Sequence, residues 1–310
     1  MEKNSKIYIA GHTGLVGSAI KRELERQKYI DLLTRKSHDL DLRDQRAVQS
    51  FFLKERPEYV FFAAAKVGGI KANMEYPADF IYDNIQMQSN IIDSSFRAGV
   101  RKLLFFGSNC MYPTDAPQPI KEESLLTGLP EPTNESYAIA KIAGIKMCQA
   151  YNEQHGTNFI SVIPASLFGP NDNWDLIYSH IIPVLIKKCH RAKLQNLEEV
   201  TIDGSENRRR ELMHVDDLVN ACLFLMENYD SSEIINVGVG RDYSLREIAE
   251  MVKEVVGFKR RIIFDSSKPT GMARKFLDSA KINSLGWKAE IELEDGLKRT
   301  YEWFKENIAI

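Results

Sequence analysis

Cysteine is scarce in this sequence. The four present, Cys110, Cys148, Cys189 and Cys222, form no C-x-x-C pair and no metal-ligand spacing. A disulfide framework and a cysteine-built metal site are therefore not expected, and free thiols suit a reducing cytoplasm. An excess of one charge is missing too. The 41 Lys and Arg against 43 Asp and Glu leave a formal net charge of −2, which offers nucleic acid no electrostatic reason to bind. No apolar run is long enough to cross a bilayer. The polar opening Met1-Glu2-Lys3-Asn4-Ser5-Lys6 does not read as a signal peptide. Neither a membrane nor a secretory route is expected. Internal repeats, low-complexity tracts and long Pro/Ser linkers are also missing, and 310 residues suit one large domain or two that share a core.

What the sequence does contain is an alternation of short apolar runs and amphipathic stretches. The β-prone Lys6-Ile7-Tyr8-Ile9-Ala10 meets Gly11-His12-Thr13-Gly14-Leu15-Val16-Gly17, and an amphipathic helix follows from Ser18. This is G-x-x-G-x-x-G between a strand and a helix, the context a dinucleotide fingerprint requires. Glycines let the backbone approach a pyrophosphate, and the helix N-terminus offers free N–H groups and a positive dipole end. A second strand, Tyr29 to Thr34, ends at Arg35-Lys36. An acid there binds the ribose 2′-hydroxyl of NAD, whereas Arg accommodates a 2′-phosphate, so Arg35 and Lys36 point to NADP(H).

Asp39-Leu40-Asp41-Leu42 comes next, then a helix from about Asp44 to Arg56. Tyr59 to Ala65 is a continuous apolar run, as expected of a strand buried on both faces. Its small end, Ala63-Ala64-Ala65, lets a cofactor pass closely. Lys66 to Ile70 reads as a loop and Pro77 to Ala98 as one long helix. The strand Lys102 to Phe106 ends in Gly107-Ser108, and the strand Asn158 to Ile163 ends in Pro164-Ala165-Ser166. Residues 171 to 213 read as a less regular stretch and include the basic run Arg208-Arg209-Arg210. A helix over Leu218–Glu227, a strand near Glu233–Gly238, a helix over Ser244–Val256 capped by Ser244, a turn at 268–271 and a last helix over Leu293–Asn307 complete the chain.

One pair carries chemistry. Tyr137 and Lys141 lie four residues apart at the start of a helical stretch, so phenol and ammonium share one face. A nearby ammonium favours the phenolate and is expected to lower the Tyr pKa, which suits proton exchange with a substrate oxygen. Ser108 follows a strand at the carboxyl edge where open α/β sheets bind ligands and is a third candidate.

The combination resembles the extended short-chain dehydrogenase/reductase family, and within it the 3,5-epimerase/4-reductases of GDP-4-keto-6-deoxymannose. The telling segments are Ala63 to Ile70, Tyr76 to Tyr82, and Glu131-Pro132-Thr133-Asn134-Glu135 leading into Tyr137 and Lys141; Leu285-Gly286-Trp287 also matches. The resemblance implies a doubly wound parallel sheet (Rossmann) with a smaller α/β C-terminal substrate domain. The cofactor domain is expected over 1–165 plus about 214–240, and the substrate domain over 166–213 plus 241–310. It implies Ser108, Tyr137 and Lys141 as a reductase triad, with Cys110 and His180 as epimerisation base and acid. The cofactor set gains Asp41, Leu42, Pro164 and His180. The substrate set is Ser108, Ser166, Lys188, Asp203 and Arg210, with Arg210 as a diphosphate contact. Family dimers pack two long helices per subunit, here Pro77–Ala98 and Tyr137–His155, which implies a homodimer.

The chain departs from the family at Ser166-Leu167-Phe168, where Asn-Leu-Tyr is usual, at Asp203 before Gly204-Ser205, where Trp is usual, and at Thr13, where Arg is common. Three readings follow. The first is NADPH-dependent reduction of the C4 ketone of a GDP-4-keto-6-deoxy sugar, preceded by 3,5-epimerisation in the same site. The second is C4 reduction alone, on a related GDP-4-keto-6-deoxy-heptose. The third is a non-catalytic NADP-binding sensor, against which the intact Ser108, Tyr137 and Lys141 argue.

Overall fold

The structure is a computed structural model that describes residues 1–267 and 271–309. The chain runs β1 (Ile7–Ala10), α1 (Leu15–Arg26), β2 (Leu32–Leu33), α2 (Gln45–Glu55), β3 (Tyr59–Phe62), α3 (Ile70–Glu75), α4 (Pro77–Arg97), β4 (Lys102–Phe106), α5 (Glu135–His155) and β5 (Phe159–Pro164). It continues through β6 (Ser166–Phe168), α6 (Ile181–Leu194), β7 (Glu199–Asp203), β8 (Arg209–Arg210), β9 (Leu212–His214), α7 (Val215–Asn228) and β10 (Ile235–Val237). The last part is β11 (Tyr243–Ser244), α8 (Leu245–Val256), β12 (Arg261–Asp265), β13 (Arg274–Lys275), α9 (Ala280–Ser284) and α10 (Leu293–Asn307).

Strands β1, β3, β4, β5 and β10 are buried at every position. Such strands need cover on both faces, which a parallel sheet flanked by helices provides. They join β2 in one sheet of order β10-β5-β4-β3-β1-β2, parallel at every pairing. The chain leaves β1 towards β2 and returns on the other side to β3. The reversal between β1 and β3 opens a crevice beyond the strand ends, where ligands of this fold sit.

Among the described residues two large apolar cores result, beside a small cluster of Ala72, Phe80 and Tyr137. One surrounds the large sheet, with Ile9, Phe61, Leu104, Ile160, Val219 and Ile235. The other joins α6, α8 and α10 over small sheets, with Ile186, Val200, Leu212, Ile248, Leu297 and Phe304. Leu277, Ile282 and Trp287, expected within the second unit, pack on the first core. The cause is backbone pairing: Ile120 donates to the Phe276 carbonyl at 2.7 Å and accepts from the Asp278 N–H at 2.8 Å, which pulls this strap back across. Glu211 sits where the chain passes between the cores. Its carboxylate accepts from the N–H groups of Val239 at 2.7 Å, Gly240 at 3.0 Å and Leu277 at 2.9 Å.

Several expected elements differ in extent. β2 shrinks to Leu32–Leu33 because it is an edge strand, paired only with Ile7 and Tyr8 of β1. β3 stops at Phe62 and leaves the three alanines as extended chain. Ile70 opens the short helix α3 where the loop was expected to end. The stretch 171–213 is irregular over 171–180 and 204–208, as expected, but it also holds β7 and the 14-residue α6. Pro183 falls in its first turn, where proline's missing N–H has no helical partner to lose. Of the expected turn 268–271, all but Gly271 lies outside the described residues.

Candidate active site

The glycine loop is built by contact. Gly11 has φ +85°, and a Cβ there would lie 2.7 Å from the Ala64 Cα. A Cβ on Gly17 would lie 2.1 Å from the Gly11 carbonyl oxygen. These two glycines bring loop, helix and β3 end together. Gly14 differs: a Cβ would meet nothing nearer than that same oxygen at 3.7 Å, and Gly14 lines the cleft. It caps α1 without a side chain, so the helix's first N–H groups face a cradle open to an anion. Thr13 is exposed at the loop tip. Arg35, just past β2, donates to Glu55 at 2.9 Å and lies over the Phe51 ring. Lys36 is close enough to act on His12, whose pKa falls through burial first and then through Lys21 and Lys36.

Helix α5 carries Tyr137 and Lys141 over the end of β4. Gly144 makes this approach possible, since a Cβ there would lie 2.3 Å from the Phe105 ring and 2.8 Å from Gln88 Oε1. Gln88 Nε2 in turn donates to the Ala140 carbonyl at 2.6 Å. Tyr137 is buried and packs edge-on to Phe80. The expectation that Lys141 lowers its pKa is corrected. Burial pushes the phenol up, the Cys110 charge adds to this, and only a Ser108 hydrogen bond opposes them. Lys141 is itself buried. Its ammonium lies 4.8 Å from the Phe105 ring centroid and 6.0 Å from that of Tyr137, and burial brings its pKa down to about 8.

Ser108 caps the turn after β4, and its Oγ accepts from the Cys110 N–H at 3.3 Å. Cys110 thereby points back into the cleft. Lys275, which the sequence reading did not single out, places its Nζ 3.1 Å from the Cys110 sulfur. Burial alone would raise the thiol's pKa, but the Lys275 charge and hydrogen bond, Ser108 and His180 together bring it below the ordinary thiol value. His180 shows the converse. Its half-exposed ring loses some solvation at the cleft wall, which would lower its pKa, but Asp172, with its Oδ1 3.9 Å from Nδ1, and the Cys110 charge raise it. Each partner thus favours the charged form of the other. Asp172 was also missed, because nothing in its spacing from His180 marks it.

These groups line one cleft of about 1100 Å³ between the two cores. Of the expected residues it gathers Gly14, Leu15, Val16, Ala63, Ala65 and Pro164 on the cofactor side, then Ser108, Cys110, Tyr137, Lys141 and His180. Ser166, Lys188, Asp203 and Arg210 stand on the far side. Gly11, Gly17 and Ala64 form the packed backing just described. Asp41 and Leu42 lie apart from the cleft and are tied to α4, through Arg43 and Asp83 and through Asn90. Ser166 Oγ accepts from Asn109 at 3.3 Å, and Lys188 donates to the Thr201 carbonyl at 2.9 Å. Arg210 is held by the carbonyls of Arg209 and Met272 at 2.6 and 2.7 Å. Burial, with Arg208 beside it, brings the Arg210 pKa down to about 10. Desolvated guanidinium groups facing a cleft suit phosphate.

A parallel sheet with a glycine-lined reversal and a Ser, Tyr and Lys set beyond its strand ends is the architecture of the extended short-chain dehydrogenase/reductases. Residues 7–238 match the NAD dependent epimerase/dehydratase family, and the chain belongs to it. It is 52% identical to GDP-L-fucose synthase 1 of Arabidopsis thaliana over 307 residues, 99% of this chain and 95% of that protein. Among solved structures it is similar to a GDP-6-OMe-4-keto-L-xylo-heptose reductase from Campylobacter jejuni, at 41% identity and TM-score 0.94, covering 99% of each chain. It is also similar to the GDP-mannoheptose C4 reductase of Campylobacter jejuni with NADP bound, at 43% identity and TM-score 0.91, covering 98% of this chain and 99% of that one.

Proposed function

We propose that this protein is an NADPH-dependent nucleotide-sugar 4-ketoreductase that first epimerises its substrate, a GDP-4-keto-6-deoxy sugar, at C3 and C5. One observation carries the reading: the Ser108, Tyr137 and Lys141 set and the Cys110 and His180 pair open on the same cleft. Relatives called GDP-L-fucose synthase and GDP-heptose C4 reductase support the substrate class. The cleft fits the cofactor, with the open Gly14 cradle for the pyrophosphate; Arg35 and Lys36, just past β2 and outside the cleft lining, are assigned to the 2′-phosphate.

When bound, NADPH supplies a hydride to the sugar C4. Tyr137 gives its proton to the C4 oxygen, and burial keeps that proton in place until the oxygen gains charge. Lys141, with a pKa of about 8, keeps most of its charge at neutral pH to hold the nicotinamide ribose. Ser108 orients the ketone by hydrogen bonding. Before reduction the same ketone acidifies C3 and C5. The Cys110 thiolate removes a proton from one face, the bonding pair passes into an enolate held by Ser108 and Tyr137, and His180 returns a proton to the other face.

Residues 1–165 with about 214–240 form the proposed cofactor unit, and 166–213 with 241–310 the GDP-sugar unit, apart from the strap that crosses back. Helices α4 and α5 leave Tyr82 and Ile139 exposed, and a homodimer through these helices belongs to the proposal. A cytoplasmic setting goes with it, since the four cysteines are free and thiols stay reduced there. Among the described residues no helix is long and apolar enough to cross a membrane.

The heptose C4 reductases favour a second reading, reduction without epimerisation. Deuterium exchange separates the two. Tyr137→Phe enzyme, which cannot complete reduction, is held with the keto-sugar in D2O, with wild type lacking NADPH as control. Deuterium is expected at C3 and C5, and Cys110→Ser is expected to slow its entry strongly. No exchange into a ketone that wild type reduces efficiently would leave reduction alone.

A further inference from the structure

Lys275 has no part in the mechanism above, yet the fold holds it firmly. It stands on β13, which pairs in parallel with β8 through Arg274 with Arg209 and Lys275 with Arg210. The Glu211 N–H donates to the Lys275 carbonyl at 3.1 Å. On one side of Lys275, Arg274 Nε donates to the buried Asp242 at 2.6 Å. On the other, the Leu277 N–H donates to the buried Glu211 at 2.9 Å. This braced strand lies across the cleft from the turn after β4. From it the Lys275 Nζ reaches 3.1 Å from the Cys110 sulfur, its one hydrogen-bond partner among the described residues.

The other groups around Cys110 do not supply an equivalent charge. Arg210 on β8 acts at a distance, and its guanidinium is engaged by two carbonyls. His180, at the N-terminus of α6, adds a smaller charge than Lys275 and is turned to Asp172. Tyr137 on α5 is neutral, and Ser108 offers a hydroxyl. Glu131, the acid on this wall, acts on Arg208 and Arg210.

We propose that Lys275 is a positioning residue that holds Cys110 as a thiolate by standing its ammonium against the sulfur from across the cleft. This rests on the reading of Cys110 as the epimerisation base. At each inversion the thiolate takes the carbon proton and becomes a thiol, while the C–H pair moves into the enolate. The thiol then loses its proton to solvent, and the ion pair forms again.

Iodoacetamide alkylation of the full-length enzyme tests this, with the Cys110 peptide followed by mass spectrometry across a pH series. The other three cysteines are buried, so the reaction reports one sulfur. In wild type the rate should rise through a midpoint below the ordinary thiol value of about 8.5. In Lys275→Met the midpoint should move up by about one to three pH units, cutting the rate at neutral pH about tenfold or more. Lys275→Arg should keep the midpoint low, which a merely structural role would not require. Equal midpoints in wild type and Lys275→Met would overturn the proposal. Should the Met variant not fold, a wild-type midpoint at or above the ordinary value overturns it alone. The exchange experiment is independent. A low midpoint without exchange removes Cys110 as base but leaves the ion pair, and exchange with an ordinary midpoint does the reverse.

Discussion

Arg35 reaches Glu55 at 2.9 Å and lies over the Phe51 ring, so its guanidinium is held in place by its own surroundings. If it takes the 2′-phosphate, Arg35→Ala should remove a charge-assisted contact worth about 1.5–3 kcal/mol, or roughly ten- to a hundredfold in NADPH affinity. NADH, without that phosphate, should lose little. Calorimetric titration of both cofactors checks this, and equal losses would move the 2′-phosphate site elsewhere. Tyr137 and Lys141 show how far single residues were legible. Their spacing correctly puts both on one helical face. It cannot show how deeply that face is buried, and depth reverses the sign of the tyrosine shift. Lys275 was illegible for another reason, since it meets Cys110 across 165 residues of sequence. Local pattern carries no trace of such a pairing.

Among the elements, α1 and its loop make the sharpest test, because neighbouring glycines have opposite surroundings. Gly17→Ala would press a methyl against the Gly11 carbonyl oxygen, 2.1 Å from the new carbon. The helix must shift, at a cost of about 1–3 kcal/mol, and NADPH affinity should fall with stability. Gly14→Ala meets only a 3.7 Å contact, so thermal unfolding should barely change while its methyl obstructs the cradle and weakens NADPH. Parallel Tm and affinity measurements decide. Similar Tm losses in both variants would contradict this account of the loop. Elements with strong periodicity and end signals were readable, such as α8 with its Ser244 and Glu247 capping box. β2 was overestimated because an edge strand has one partner to define it. α6 was not singled out within the less regular stretch, and Pro183 sits in its first turn, where proline is tolerated.

At the scale of the molecule, the chain passes repeatedly between two cores, and Glu211 gathers three of those passages. Burial raises its carboxyl to about 7 despite three backbone donors. A carboxyl raised on folding contributes stability that is fully present below its unfolded pKa of about 4.3 and is lost as pH rises through about 7. Glu211→Gln should unfold more easily, by about 1–3 kcal/mol, since its amide NH2 would confront one of the N–H groups. Its gap from wild type should be widest in acid and narrow as pH passes neutrality. A gap that does not change with pH would mean Glu211 does not titrate in that range. Mechanically, the carboxylate is a rivet at the pivot of a jaw. Rocking that widens the cleft must turn about this point, because sliding would tear three amides from one anchor. The amides of Val239, Gly240 and Leu277 should therefore exchange with solvent in a single concerted opening, and in Glu211→Gln they should let go one by one.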